Sequence, residues 1–195
     1  GITLVNSPWE WPKALHNARP YSQYNRQLLV EQKLSGSEVA MDFFMYKEQL
    51  RLANAAWRLF YHRLGFGLEA GHINPWHPPQ EVIDIAQSAA DVLGVTFGPF
   101  KVDMICHNGQ WIVLECATRL SGGFDHMVTS PLATGRDVTK AMLDVALGGR
   151  PLLKDLSIKK NGYACAFAPI LTAGHVAEWN LPEKLPGQHD IIITD

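Results

Sequence analysis

Cysteine is scarce in this chain and poorly placed for cross-linking: Cys106, Cys116 and Cys165 are all there is, an odd number with no C-x-x-C pair. This spacing excludes a disulfide scaffold or a zinc site as the organising device and fits reduced thiols in a cytoplasmic protein. Charge is sparse as well. Seventeen basic and 19 acidic residues leave a formal net charge of −2 with no basic block, which argues against nucleic acid as a partner. No apolar run approaches the roughly 18 residues of a membrane helix, and no basic-then-apolar leader opens the sequence, so no membrane partner is expected. Internal repeats and low-complexity tracts are absent too.

What is present is enough apolar material for a sizeable core, 47% of 195 residues, and room for one domain or slightly more. Within it, two carboxylates stand out. Asp103 interrupts the apolar stretch Phe100-Lys101-Val102-Asp103-Met104-Ile105, and Glu115 ends Trp111-Ile112-Val113-Leu114-Glu115, twelve residues on. A half-buried carboxylate is costly unless a cation meets it, and two on neighbouring strands suggest one shared cation.

The connection His107-Asn108-Gly109-Gln110 is a hairpin signal, because Asn and Gly tolerate positive φ. A two-residue Asn-Gly loop would set Asp103 opposite Leu114 and send the carboxylates to opposite faces. A three-residue loop with a bulge at or beside Gly109 sets Asp103 opposite Glu115, Cβ atoms about 5 Å apart. That separation suits Mg²⁺, which takes one or two carboxylates and completes its octahedron with water and phosphate oxygens. The alternative is a solvent-facing acid pair on an edge hairpin.

A coarse pass gives an α+β pattern. Strands are expected near 28–31, 38–45, 52–61, 100–106, 111–115 and 164–169, and helices near 10–18, 79–93 and 137–147. In 79–93, Val82, Ile83, Ile85, Ala86, Ala89, Val92 and Leu93 trace an apolar face, with Pro79 suited to the start and Gly94 to the stop. Residues 52–61 are compatible with either a helix or a strand.

These residues together resemble the ATP-grasp ligases. A strand bearing an acid, a short hairpin, then Glu115-x-x-x-Arg119 and a Gly-rich loop is similar to the metal-binding end of that family. Residues 28–42 resemble its hinge strand, turn and next strand, 79–99 the segment before the first metal carboxylate, and 133–148 its closing helix. The resemblance decides for a strand at 52–61. It implies an ATP-grasp fold: a mainly antiparallel sheet flanked by helices over 1–150, with 151–195 as the start of a C-terminal lobe. Nothing here matches the family's phosphate-binding lysines or its flexible Gly-rich loop, so the resemblance implies the latter part of a longer enzyme.

By resemblance, ATP and Mg²⁺ (or Mn²⁺) are the cofactors, and Asp103 and Glu115 the metal ligands. Glu31, Gln32 and Leu34 would meet the adenine, and Glu38 the ribose. Arg119 would face the transferring phosphoryl group or its acceptor, with Ser121, Gly122 and Gly123 forming a substrate loop whose amides help line an anion site. For Arg119 the plainer alternative is a structural salt bridge to Asp125 or Asp103, and for Glu31 and Glu38 a solvated strand residue. His72, His77 and His126 read as structural or solvated, and Cys116 as a small buried side chain with no activating base. Ala117 stands where many family members carry an asparagine that joins the metal site. The implied reaction is ATP-dependent formation of an acyl phosphate and its capture by an amine, as in amino-acid or peptide ligases. The alternatives are a biotin-carboxylase or carbamoyl-phosphate type of enzyme using bicarbonate, and a non-catalytic nucleotide-binding module. Small-molecule acid and amine substrates are the expected partners, with a homodimer among the assemblies the resemblance allows.

Overall fold

Alternation of apolar and polar residues builds a six-stranded sheet in the order β5-β4-β1-β2-β3-β6, every neighbouring pair antiparallel. Its strands are β1 (Ser37–Tyr46), β2 (Gln49–Phe60), β3 (Glu69–Asn74), β4 (Gly98–His107), β5 (Gln110–Ala117) and β6 (Ala164–Phe167). The helices are α1 (Trp11–Ala18), α2 (Gln80–Val92), the five-residue α3 (Ser130–Thr134) and α4 (Val138–Ala146), with a π-helical turn over Asp125–Thr129. The computed structural model describes residues 2–22, 27–61, 68–150, 156–168 and 178. Most of the expected C-terminal lobe lies outside them; within 151–195, β6 adds to the sheet beside β3.

The two faces of the sheet differ in chemistry. Val39, Met41, Phe43 and Met45 of β1 alternate onto one face with Phe100, Val102 and Met104 of β4, and Val82, Ala86 and Ala90 of α2 close over them. Each of these large side chains, buried relative to the unfolded chain, contributes on the order of 2 kcal/mol. α2 stops where Gly94 takes φ +69°, as expected at a helix end. Val92 and Leu93, expected on its packing face, are instead 88% and 60% exposed, because the core contact runs along Val82, Ala86 and Ala90 with Ile83 and Ile85 beside them.

The opposite face carries Glu38 and Asp42 of β1, Asn54 and Arg58 of β2, His72 and Asn74 of β3, Lys101 and Asp103 of β4, and Glu115 of β5, as their paired register shows. Its far end is roofed by a second cluster in which Leu120, Val138, Ala141, Val145 and Leu156 meet Phe44 and Ala53. The polar side chains between are either held beneath that roof or open to solvent beyond it.

Three expectations need correction or extension. Residues 28–31 are not a strand: among the described residues nothing pairs with them, and Leu29 and Val30 are 83% and 61% exposed. β-propensity without a partner ladder does not make a strand. β3 was not foreseen, because its Gly71, His72 and Asn74 read as loop composition; its inward side chains are polar and are satisfied by neighbours distant in sequence. Residues 52–61 do form a strand, within β2.

Candidate active site

The β4–β5 hairpin meets its expectation by an unexpected route. Its turn is the two-residue Asn108-Gly109 loop, both at positive φ, with His107 paired to Gln110. The ladder then runs regularly to Met104 opposite Val113 and slips by one residue, so Asp103 faces Glu115. Leu114 is the extra residue of a β-bulge, 41% exposed. The expected three-residue loop is therefore wrong and the expected pairing is right: the bulge sits in β5 instead of at the turn.

Asp103 and Glu115 differ sharply in environment. The Asp103 side chain is 3% exposed, and its Oδ2 accepts from Lys101 Nζ at 2.6 Å and from Arg58 Nη1 at 3.1 Å. Its Oδ1 is buried and has no partner among the described residues. Glu115 is 58% exposed, and its nearest cation is Arg119 Nη2 at 3.9 Å, too long for a hydrogen bond. One buried orphan oxygen facing one free carboxylate is an oxygen donor set of the kind Mg²⁺ accepts. Among the described residues no group of three or more His, Cys, Asp or Glu converges as a metal cage, so any hard cation here draws its remaining ligands from water or substrate.

Arg58 organises the charges beside this pair. Its guanidinium reaches Glu38 at 3.3 Å, Glu69 at 2.8 Å and Asp103 at 3.1 Å. Burial works against its charge, but the three acids outweigh that and raise its pKa. For Glu38, burial raises the carboxyl pKa, Arg58 pulls it down, and the neighbouring Asp103 and Glu69 add to the rise. Glu38 is thus an ion-paired, half-buried acid on the same face as the carboxylate pair, rather than a solvated strand-start residue. Cys116 is half-buried, and burial together with Asp103 and Glu115 pushes its thiol up, which suits an inert side chain.

Arg119 follows β5 and pairs with neither Asp125 nor Asp103. It is 60% exposed, donates to its neighbour's carbonyl at Leu120 (3.1 Å) and leaves most of its donors to solvent. The loop behind it behaves in two ways. A Cβ at Gly122 or Gly123 would meet nothing within 4 Å, so both present open backbone. Ser121 turns inward: its N–H and Oγ–H both donate to Asp42 Oδ1, at 2.7 and 2.8 Å, and its carbonyl accepts from His126 Nδ1 at 2.7 Å. Its amide is consumed, so the expected anion-lining role is corrected for Ser121 and stands open only for Gly122 and Gly123.

Asp42 is the residue that sequence reasoning missed. It is fully buried, and burial, reinforced by the nearby Asp125 carboxylate, raises its pKa to about 7 against the opposing hydrogen bonds from Ser121 and Asn54. A chain of donors ends on it. Thr129 Oγ1 donates to Asn74 Oδ1 (2.8 Å), Asn74 Nδ2 to Asn54 Oδ1 (2.6 Å), and Asn54 Nδ2 to Asp42 Oδ2 (3.3 Å). With that hydroxyl hydrogen committed, His72 Nε2 is the donor to Thr129 Oγ1 at 2.7 Å, and Asp125 Oδ1 lies 3.7 Å from the same nitrogen. His72 is therefore structural, as expected. The signal was legible in part: polar residues recur on one face, Glu38 and Asp42 in β1, Asn54 and Arg58 in β2, His72 and Asn74 in β3, with Ala40 and Ala56 between them in β1 and β2.

The residues expected at the adenine lie apart from this network. Glu31 and Gln32 are exposed, Leu34 is half-buried, and all three sit in coil ahead of β1. Glu31 and Gln32 line an open cavity of about 710 Å³ with Leu4, Trp11 and Leu15. The coil crosses the end of β4, where His107 Nδ1 donates to the Ser35 carbonyl at 2.8 Å and Gly36 presses so close that a Cβ would fall 1.9 Å from the Cys106 carbonyl oxygen.

No protein-family model and no curated protein matches the sequence. Solved structures do match in fold. An L-amino acid ligase from Bacillus licheniformis superposes with a TM-score of 0.69 at 20% identity, over 88% of this chain and 43% of its own. The chain has an ATP-grasp fold. A biotin carboxylase from Campylobacter jejuni, solved as a β,γ-ATP complex, shares this fold with a TM-score of 0.66 at 18% identity, over 84% of this chain and 37% of its own. The biotin carboxylase domain of the Hydrogenobacter thermophilus 2-oxoglutarate carboxylase, solved with MgADP and bicarbonate, gives 0.62 at 18%, over 80% and 36%. This chain thus spans about two-fifths of the length of these structures that share its fold, and within that span the polar sheet face is its candidate active site.

Proposed function

We propose that this chain carries the nucleotide- and metal-binding face of an ATP- and Mg²⁺-dependent ligase that activates a carboxylate as an acyl phosphate for attack by an amine. The observation behind this reading is the bulge-set pairing of Asp103 with Glu115, with Asp103 Oδ1 buried and unpartnered. Because Lys101 and Arg58 already occupy Oδ2, the pair offers oxygens for one divalent ion rather than two. Ala117, opposite Lys101 in register, adds no oxygen. Mg²⁺ held by this pair would supply charge neutralisation to the nucleotide phosphates.

The remaining roles belong to the chain itself. Arg119, exposed and lightly tethered, offers its guanidinium to the transferring phosphoryl group or to the acceptor carboxylate. Gly122 and Gly123 let that group approach the backbone closely. Glu38, held by Arg58, faces the ribose, and Glu31, Gln32 and Leu34 face the adenine. These groups act by positioning and by charge, without covalent chemistry of their own. The fold shared with an L-amino acid ligase favours an amino acid or peptide as the acid, and the fold shared with biotin carboxylases keeps bicarbonate as the second reading. A cytoplasmic enzyme with small-molecule substrates follows from the same reading.

The test is Mg²⁺-dependent binding of a non-hydrolysable ATP analogue to the wild type, Asp103→Asn and Glu115→Gln. Both variants are expected to lose the Mg²⁺-dependent part of the affinity, about tenfold or more. Unchanged binding in both would make the pair structural and remove the chemical basis of the ligase reading. Screening amino acids and bicarbonate for ADP release then separates the two acids.

A further inference from the structure

We infer that Asp42 is the positioning residue of the 119–123 loop, holding Arg119 where the transferring phosphoryl group would sit. The role of Arg119 rests on the ligase reading; the pinning itself does not.

Three observations carry this. First, Asp42 Oδ1 is the acceptor for both donors of Ser121, two residues beyond Arg119, across a sequence separation of 79. The loop is therefore tied to the middle of β1 and not to its own hairpin. Second, the loop is held from both ends. Leu120 is buried in one cluster with Phe44, Val138 and Val145, and Thr129, the last residue of the π-helical turn, bonds to Asn74 and to His72. Between these anchors Gly122, Gly123, Phe124 and Met127 face solvent. Third, the chain of donors from His72 through Thr129, Asn74 and Asn54 has one direction and needs an acceptor-only group at its end. Asp42 in its ionised form, which it takes as pH rises past about 7, meets that need on both oxygens; an amide meets it on one.

A burial cost of this size is not explained by core packing, for which an apolar residue at position 42 would serve as well. It is explained if a fixed loop position is what the carboxylate secures. Asp42 touches no reacting group in this account and acts only through Ser121 and the backbone leading to Arg119.

The experiment compares wild type, Asp42→Asn, Asp42→Ala and Ser121→Ala in the full chain by two readouts. The first is affinity for MgADP alone and for MgADP with aluminium fluoride, a mimic of the transferring phosphoryl group. MgADP affinity is expected to stay within about twofold throughout, while the gain produced by fluoride falls about tenfold in Asp42→Ala and less in Asp42→Asn, which keeps one acceptor oxygen for Ser121. The second readout is amide hydrogen exchange over 119–129, expected to accelerate in the order Asp42→Ala, Ser121→Ala, Asp42→Asn, with β1 and β2 still protected. A folded Asp42→Ala protein that keeps the full fluoride gain, or that exchanges these amides as slowly as wild type, overturns the inference. If Asp42→Ala does not fold, Asp42→Asn and Ser121→Ala must show the same two effects, and their absence overturns it equally. A wild type that binds no MgADP sinks the ligase reading, and hydrogen exchange then decides the pinning alone.

Discussion

At the scale of single residues, the carboxylates of this chain divide by what meets them. Asp103 is matched on one oxygen by two cations and left open on the other, which is what makes it a candidate ligand. Asp42 is met only by neutral donors in a site closed to water, so its charge is disfavoured and its pKa rises to about 7 from the usual carboxylate value. The folded state thus holds this proton over a range where the unfolded chain has released it. Stability from this group is greatest below about pH 4 and is lost as pH rises to about 7, on the order of a few kcal/mol in total. Thermal unfolding of wild type and Asp42→Asn across that range checks it: the wild type is expected to lose stability relative to the variant up to about pH 7 and to run parallel above it. Parallel behaviour throughout would mean that Asp42 is ionised in the fold at every pH tested. Arg58, Lys101, Glu38 and Asp42 could each be seen in the sequence as polar residues in strands. Which acid would find a cation and which would not could not be seen, because the partners come from strands up to 45 residues away.

Individual elements were legible to different degrees for identifiable reasons. α2 announced itself through its apolar row and Gly94, and β4 and β5 through alternation around Asn-Gly, since these signals are local. The bulge at Leu114 has no local signal; it appears only when the register of β5 against β4 is known, and the facing of Asp103 and Glu115 depends on it. β3 and the 28–31 segment failed in opposite directions, the first a strand with loop-like composition and the second an apolar run with no partner. Gly36 provides a test at this scale. A Cβ there would lie 1.9 Å from the Cys106 carbonyl oxygen, a backbone atom that cannot yield cheaply, and the glycine itself holds φ +157°. Gly36→Ala is expected to lift the coil ahead of β1 off β4, breaking the Ser35–His107 contact, and to weaken ATP-analogue binding about tenfold while the melting temperature falls by only a few degrees, roughly 1 kcal/mol of stability. Unimpaired binding would separate this coil from the nucleotide site.

For the whole molecule, the sheet divides the labour. One face is packed under α2 by mostly apolar side chains, and the other gathers the charged and hydrogen-bonding residues. Among the described residues no helix is long and apolar enough to cross a membrane. If the polar face binds Mg²⁺ and ATP, binding must stabilise the fold. At a ligand concentration near 100 times Kd the gain is about 2.7 kcal/mol, a rise of roughly 5 to 10 °C in melting temperature for a chain of this size. The shift is expected with Mg²⁺ and the analogue together, and to be absent in the Asp103→Asn, Glu115→Gln double variant. A shift of equal size in that variant would place the nucleotide elsewhere on the molecule.

The sequence by itself determined the strand-and-helix rhythm, the hairpin, the two carboxylates within apolar runs and the likeness to ATP-grasp ligases, because each is written in neighbouring residues. Only the tertiary structure decided that the carboxylates face one another through a bulge, that Arg58 and Lys101 share Asp103, and that Ser121 is tied to Asp42 instead of lining an anion site. Those outcomes depend on strand register and on burial. Both are set by how distant segments pack, and neither is a property of any local stretch of chain.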